Sequence, residues 1–337
     1  MAAPQPGPSS APEPEYLIEV TDLTKRFGDL VAVEKISFGV RQGELFGFLG
    51  PNGAGKTTTI NMLTGLARPD SGSISIAGLE CTLNPKAAQH LIGIVPDESN
   101  LYPELSGFDN LCFCAALYGL PTDERRLRAG ELLETFGLKD AAQRKFASYS
   151  KGMKRKLTIA AGIIHSPPIL FLDEPTTGID VASARQIRQL IAELHRSGTT
   201  IFLTTHYIEE AERLCERIAF IVKGKIVRID SLANLLQPMQ ATKAMLISVS
   251  NCADDLYEKL AMAFPDFTFR LVSTDQIRLE SKNPIHIGPL IRFVEQQGCE
   301  ISEARRLTPS LEDVFVELTG IKLDMMRMER EKGKANP

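Results

Sequence analysis

From Glu15 to about Ile229, short runs of β-branched and aromatic residues alternate with longer segments whose apolar residues recur every three or four positions. That alternation predicts an α/β domain on a largely parallel sheet, whose strands bury both faces beneath amphipathic helices. The opening part, Tyr16 to Val40, is broken into strand-like runs such as Leu17-Ile18-Glu19-Val20 and Ile36-Ser37-Phe38, which predicts a small antiparallel sheet beside the parallel one. A helix with Ile60, Leu63 and Leu66 on one face is expected after the apolar run Leu45 to Leu49. Beyond Asp180, a natural N-cap, Ile187, Leu190, Ile191 and Leu194 form the stripe of a helix facing a sheet.

The pattern resets after Leu235-Leu236-Gln237-Pro238. A strand (Ala244 to Val249), a helix carrying Leu256, Tyr257 and Leu260, two strands (Thr268 to Val272, Gln276 to Glu280), a helix carrying Ile287, Leu290, Ile291 and Val294, and a strand near Cys299 to Ala304 follow in turn. This β-α-β-β-α-β order predicts a ferredoxin-like α+β module. A last helix is expected from Thr308-Pro309-Ser310, capped by Thr308 with Pro309 in the first turn, and stopped by Gly320. The expected organisation is a Pro-rich tail over 1–14, a nucleotide-binding domain over 15–238, an accessory domain over 239–320 and a charged tail over 321–337.

Composition narrows the function classes. The 337 residues carry 38 Lys+Arg against 42 Asp+Glu, a net charge of −4, so bulk binding of nucleic acid through overall charge is disfavoured. No apolar run approaches the roughly 20 residues of a membrane-spanning helix, and Leu111 to Leu120 is too short. The N-terminal segment has five prolines but neither a basic start nor an apolar core, unlike a secretory signal. All six cysteines are accordingly expected as reduced thiols. Cys112-Phe113-Cys114 has no second ligand pair nearby and reads as helix packing.

The strongest chemical signal is Gly50-Pro51-Asn52-Gly53-Ala54-Gly55-Lys56-Thr57, followed by Thr58, between a strand and a helix. Glycines let successive backbone N–H groups converge on phosphate oxygens, Lys56 reaches the β- and γ-phosphates, and the Thr57 hydroxyl suits Mg²⁺. A second element, Ile169-Leu170-Phe171-Leu172-Asp173-Glu174, is an apolar strand ending in two acids. Beside a phosphate loop Asp173 would hold Mg²⁺ and Glu174 would reach the attacking water.

Three further elements make the chain resemble the ATP-binding cassette (ABC) ATPases. Tyr149-Ser150-Lys151-Gly152-Met153 stands where that family has its signature, Thr177-Gly178-Ile179-Asp180 resembles the loop after the acid pair, and His206 ends the run Thr200 to Thr205 like the family's switch histidine. The resemblance covers about Tyr16 to Ile229 and implies ATP and Mg²⁺ as ligands. It implies that Phe27 stacks on adenine with Val33 beneath, that Glu174, His206 and Lys56 are catalytic, and that Ser150, Lys151, Gly152 and Met153 meet the ATP held by a second cassette. Asp180 would link the two sites of that head-to-tail pair, whether homo- or heterodimer.

Two departures from the family pattern stand out. Asp97 occupies the position of a glutamine that senses Mg²⁺ and water, where a carboxylate can still hold the metal but adds negative charge. In the signature, Lys151 replaces a glycine, Met153 a glutamine and Tyr149 a leucine. For Lys154, Arg155 and Lys156 a solvated helix face and a phosphate-facing role both stay open.

No Asn-Lys-x-Asp guanine reader and no long coiled coil between Gly55 and Ser150 are present, which leaves the transporter branch of the family. The layout resembles exporter ATPases for drugs, antibiotics or polysaccharides, with an added C-terminal domain. It implies an ATPase working through separate transmembrane permease subunits at the inner face of the cell membrane, with no nucleic-acid partner. The segment Pro96 to Gly119, with Leu101-Tyr102-Pro103-Glu104-Leu105, is where the family docks on its membrane partner. The alternative is an ATP-gated regulatory clamp with weak hydrolysis and a ligand-sensing C-terminal domain.

Overall fold

The computed structural model describes residues 16–240, 243–250, 252, 255–307 and 310–321. The tails expected over 1–14 and 321–337, apart from Ile321, and the cap and first-turn roles expected of Thr308 and Pro309 lie outside these residues. The chain divides after Asp230 into two compact units.

In the first unit the strands are β1 (Ile18–Phe27), β2 (Leu30–Val40), β3 (Leu45–Leu49), β4 (Ser71–Ile76), β5 (Leu79–Glu80), β6 (Ile92–Val95), β7 (Ile169–Asp173), β8 (Thr200–Thr205), β9 (Arg217–Val222) and β10 (Lys225–Ser231, whose last residue opens the second unit). Its helices are α1 (Lys56–Leu63), α2 (Gly107–Leu117), α3 (Thr122–Thr135), α4 (Lys151–Gly162), α5 (Val181–Arg196) and α6 (Ile208–Leu214). One sheet runs β2-β1-β4-β5, antiparallel at each pairing, and a second runs β10-β9-β3-β8-β7-β6 with β9 through β6 parallel. Every residue of β3, β7 and β8 is buried, as the continuous apolar runs require of strands covered on both faces.

An aromatic cluster fastens the two sheets together. Phe38 of β2 stacks on Phe46 of β3 at 5.7 Å, and Phe202 of β8 lies 5.4 Å from Phe48 and 5.6 Å from Phe171 of β7. Each fully buried ring is worth about 2–3 kcal/mol of transfer free energy, so the cluster sets the relative position of the strand ends that carry the chemistry. α1 packs on β7, α4 on β6 and α6 on β3.

One local expectation is corrected. α1 stops at Leu63, and Gly65 turns the chain with φ +76°, so Leu66 falls beyond the helix and is 70% exposed.

The second unit comprises α7 (Leu232–Gln240), β11 (Lys243–Ser250), α8 (Leu256–Ala263), β12 (Thr268–Ser273), β13 (Gln276–Ser281), α9 (Ile287–Gln296), β14 (Glu300–Leu307) and α10 (Leu311–Thr319). The sheet order β12-β13-β11-β14, antiparallel throughout, is the ferredoxin-like arrangement of the sequence pattern. α7 runs through residue 238 and groups with this unit. Ser310 caps α10, in a box in which its side chain accepts from Asp313 N–H and the Asp313 carboxylate accepts from Ser310 N–H, and Gly320 closes the helix with φ +69°. Cys252 and Cys299 are joined as a disulfide with Cα atoms 4.8 Å apart, which corrects the expectation of six free thiols; Cys81, Cys112, Cys114 and Cys215 are free.

Candidate active site

Parallel pairing brings the expected chemistry to one edge. Leu49 pairs with Thr205, and Asp173 with Thr204, so the loop after β3, the acids ending β7 and the histidine after β8 leave the sheet side by side at its carboxyl end. Gly50 N–H donates to Thr205 O at 3.3 Å, starting the phosphate loop directly from the sheet.

The loop requires its glycines. A Cβ on Gly50 would lie 2.2 Å from Ile221 O, and one on Gly55, where φ is +105°, 2.5 Å from Ala32 O. The backbone therefore packs closer than a side chain allows, and Gly55 turns straight into α1. Lys56 is buried, and its ammonium donates to Gly50 O at 2.9 Å and Pro51 O at 3.1 Å. The Thr57 side chain is exposed at the mouth of the loop, and Asn52 and Gly53 are exposed on its rim.

Glu174 is the hub. It is buried in the left-handed region with φ +48°, a conformation that costs a non-glycine residue about 1–2 kcal/mol. Its N–H donates to Thr204 O at 3.1 Å and Thr204 Oγ1 at 3.2 Å. Its carboxylate meets Lys56 Nζ at 3.1 Å, His206 Nδ1, and the Thr177 hydroxyl at 2.9 Å. Burial pushes its pKa up, but the His206 hydrogen bond and the Lys56 charge outweigh that and hold it at about 2. Asp173, also buried, accepts from the Thr204 hydroxyl.

His206 keeps one nitrogen in reserve. Nδ1 faces Glu174, while Nε2 is buried with no hydrogen-bond partner among the described residues. A buried polar atom without a partner is costly; with Nδ1 donating to the Glu174 carboxylate, a phosphate oxygen would satisfy Nε2 when that nitrogen also carries a proton. With the glycine cradle, this is the structural sign that the site fits a phosphate group. The Asp173 carboxylate and the Thr57 hydroxyl are hard oxygen donors of the kind Mg²⁺ takes.

The remaining expected residues stand around this cluster. Phe27, at the end of β1, is 55% exposed with Lys25 Nζ 5.5 Å over its ring. Val33 is fully buried and lies under Gly55, its Cγ2 3.2 Å from where a Cβ would be, so it supports the loop and has no free face to offer a ring. Ser150 caps α4, accepting from Met153 N–H at 3.3 Å; Lys151 is exposed, Met153 half-buried, and Gly152 is pressed against Ser183 of α5. Asp180 caps α5 through Ser183 N–H at 2.9 Å, a bond that holds its carboxyl below the ordinary range.

Asp97, exposed after β6, accepts from Arg155 of α4 at 3.4 Å. Partial burial, then the nearby acids, hold Asp97 above the ordinary carboxylate range against the pull of Arg155. Arg155 itself is 3% exposed, which removes the solvated-face alternative at that position. The Lys56–Glu174 pair, the Thr177 and Thr204 hydroxyl contacts with the acids and the carbonyl contacts of Arg155 were missed by sequence reasoning. Only the Thr204-Thr205-His206 run hinted at hydroxyls beside the acids. His165 Nε2 donates to Ile92 O and its ring stacks on Tyr118, and His195 Nε2 donates to Gly43 O, away from the cluster.

Comparison with known proteins points the same way. A family model described as ABC transporter matches residues 33–177. The chain is 36% identical over 312 residues to a doxorubicin resistance ATP-binding protein of Mycobacterium tuberculosis, covering 90% of this chain and 94% of that one. It is 41% identical over 304 residues to a Nod factor export ATP-binding protein of Burkholderia orbicola, covering 90% and 97%. Among solved structures, an ATP-binding subunit of an ABC transporter superposes with TM-score 0.61 at 32% identity, over 66% of this chain and 93% of that one. A cassette captured as a dimer in a post-hydrolysis state with ADP and Pi superposes with TM-score 0.59 at 27% identity, over 64% and 98%.

Proposed function

The chain belongs to the ABC transporter family, and from that premise we propose that it is the ATP-hydrolysing subunit of an exporter, driving transport through separate membrane-spanning permease subunits. The observation that carries this reading is the convergence of Lys56, Asp173, Glu174 and His206 at adjoining strand ends, with His206 Nε2 buried and unpartnered among the described residues. No helix of the described residues is long and apolar enough to cross a membrane, so a permease supplies the path. Full-length likeness to drug-resistance and Nod factor export subunits supports export. In this reading the chain works at the inner face of the cell membrane, with an ATPase domain that ends at Asp230, short of the 238 expected from the sequence, and an accessory domain over Ser231–Gly320.

ATP is the substrate. The loop from Gly50 to Thr58 wraps its phosphates through backbone N–H groups, and Phe27 offers its open face to the adenine. Thr57 and Asp173, with Asp97, would hold Mg²⁺, which when bound would stabilise charge on the phosphate oxygens. Glu174, ionised at any physiological pH, takes the proton of the attacking water, and His206 holds the γ-phosphate through Nε2. Lys56 turns from Glu174 to the phosphates when nucleotide enters, which frees the carboxylate for the water. Ser150, Lys151, Gly152 and Met153 close the site of a second cassette, and Asp180 couples the two sites.

The test is assembly. Glu174→Gln, which binds ATP without consuming it, is expected to elute as a dimer with Mg-ATP and as a monomer without it by light scattering. A second change, Ser150→Arg, is expected to return it to monomer. Dimerisation indifferent to ATP or to Ser150 overturns the shared-site reading.

A further inference from the structure

Arg155 joins three parts of the fold through one guanidinium. It lies one turn into α4, whose N-terminus is the signature turn, and is 3% exposed. Nη1 donates to Pro96 O, and Nη2 donates to Asp97 O at 2.6 Å and to Glu174 O at 3.0 Å, with the Asp97 carboxylate at 3.4 Å. Three backbone carbonyls and one carboxylate, from the segments after β6 and after β7, thus converge on a single side chain of the signature helix.

Only a planar fork of donors can serve that geometry, since an ammonium is a point charge with one centre. The contact on Glu174 O matters most, because it holds the peptide of the residue whose φ is +48°. Tilting that peptide swings the carboxylate away from Lys56, His206 and Thr177 together. Removing Arg155 would also leave the buried Glu174 carbonyl contact and two part-buried ones unmade, and take the counter-charge from Asp97.

We propose that Arg155 is a positioning residue for hydrolysis: it locks the main chain of Glu174 and the Asp97 segment to the signature helix, and balances the carboxylate that Asp97 brings to the site. Movement of α4 onto a partner's nucleotide is thereby delivered to Glu174 directly. The proposal rests on the ATPase reading above and adds to it a residue that touches neither nucleotide nor water.

The test is a set of single-turnover phosphate-release measurements on the full chain, with ATP affinity and ATP-driven dimerisation read in the same samples. Arg155→Lys keeps charge and volume but loses the fork. It is expected to lower the release rate about tenfold while ATP affinity stays within about threefold, the pattern of lost positioning. Arg155→Gln is expected to be slower still, and Arg155→Gln with Asp97→Asn to recover at least about threefold over Arg155→Gln alone, because the unbalanced charge is gone.

Wild-type release by Arg155→Lys overturns the proposal, as does a double variant no faster than Arg155→Gln. If Arg155→Gln does not fold, judged by circular dichroism, Arg155→Lys alone decides. Glu174→Gln run alongside separates the two readings. If it hydrolyses like wild type, the ATPase assignment fails. If it is dead while Arg155→Lys is normal, only the role of Arg155 falls.

Discussion

Replacing Glu174 by Gln removes a charge whose worth can be worked from the site. The carboxylate is buried between Lys56 and His206 and titrates at about 2 instead of the ordinary 4.5. At about 1.4 kcal/mol per pH unit that gap corresponds to roughly 3 kcal/mol favouring the folded chain. Because the folded value is the lower one, this stability is fully present above pH 4.5 and is lost as the pH falls toward 2. About 2 kcal/mol of it is gone by pH 3.

Urea unfolding of nucleotide-free chain, followed by circular dichroism between pH 6 and pH 3, measures this. The variant is expected to start less stable at pH 6, since Lys56 is left buried without its carboxylate, and to lose roughly 2 kcal/mol less than wild type on going to pH 3. Titrating groups remote from Glu174 are common to both proteins and cancel in the difference, while Asp97 and Glu210, whose carboxyls its charge helps to hold up, relax in the variant. Parallel stability curves over that range would refute the reasoning, since Glu174 would then not be held ionised by its neighbours.

Two further outcomes follow from the backbone. Gly50→Ala sets a Cβ 2.2 Å from Ile221 O, a backbone atom that cannot swing aside, and is expected to cost about 2–3 kcal/mol and lower the melting temperature by several degrees; an unchanged melt would mean that the loop has room to spare. Ser310→Ala removes the cap of α10 and is expected to cost about 1 kcal/mol, read as faster amide hydrogen exchange in Leu311–Thr319, with Ser310→Thr close to wild type.

What could be read in advance depended on whether the signal was local. The phosphate loop was legible because the steric need at Gly50 and Gly55 leaves a fixed spacing of glycines. The ferredoxin-like order was legible because each strand and helix carries its own period. Arg155 was not: among Lys151, Lys154 and Lys156 its burial depends on carbonyls nearly 60 positions earlier and on Glu174, and a basic run looks alike whether solvated or buried. The Lys56–Glu174 pair, the Thr204 support of both acids and the Cys252–Cys299 bridge likewise join residues distant in sequence. At the end of α1 the apolar period continued to Leu66 while Gly65 had already turned the chain, so backbone freedom overruled pattern there.

The role proposed for Glu174 is to activate water on ATP held by the loop from Gly50 to Thr58. Its most direct measurement is phosphate release by wild type and Glu174→Gln, with Mg-ATP binding recorded on the same preparations. Expected is a fall of at least about a hundredfold in release, the usual contribution of a general base, with ATP affinity preserved. Equal rates from the two proteins would contradict it.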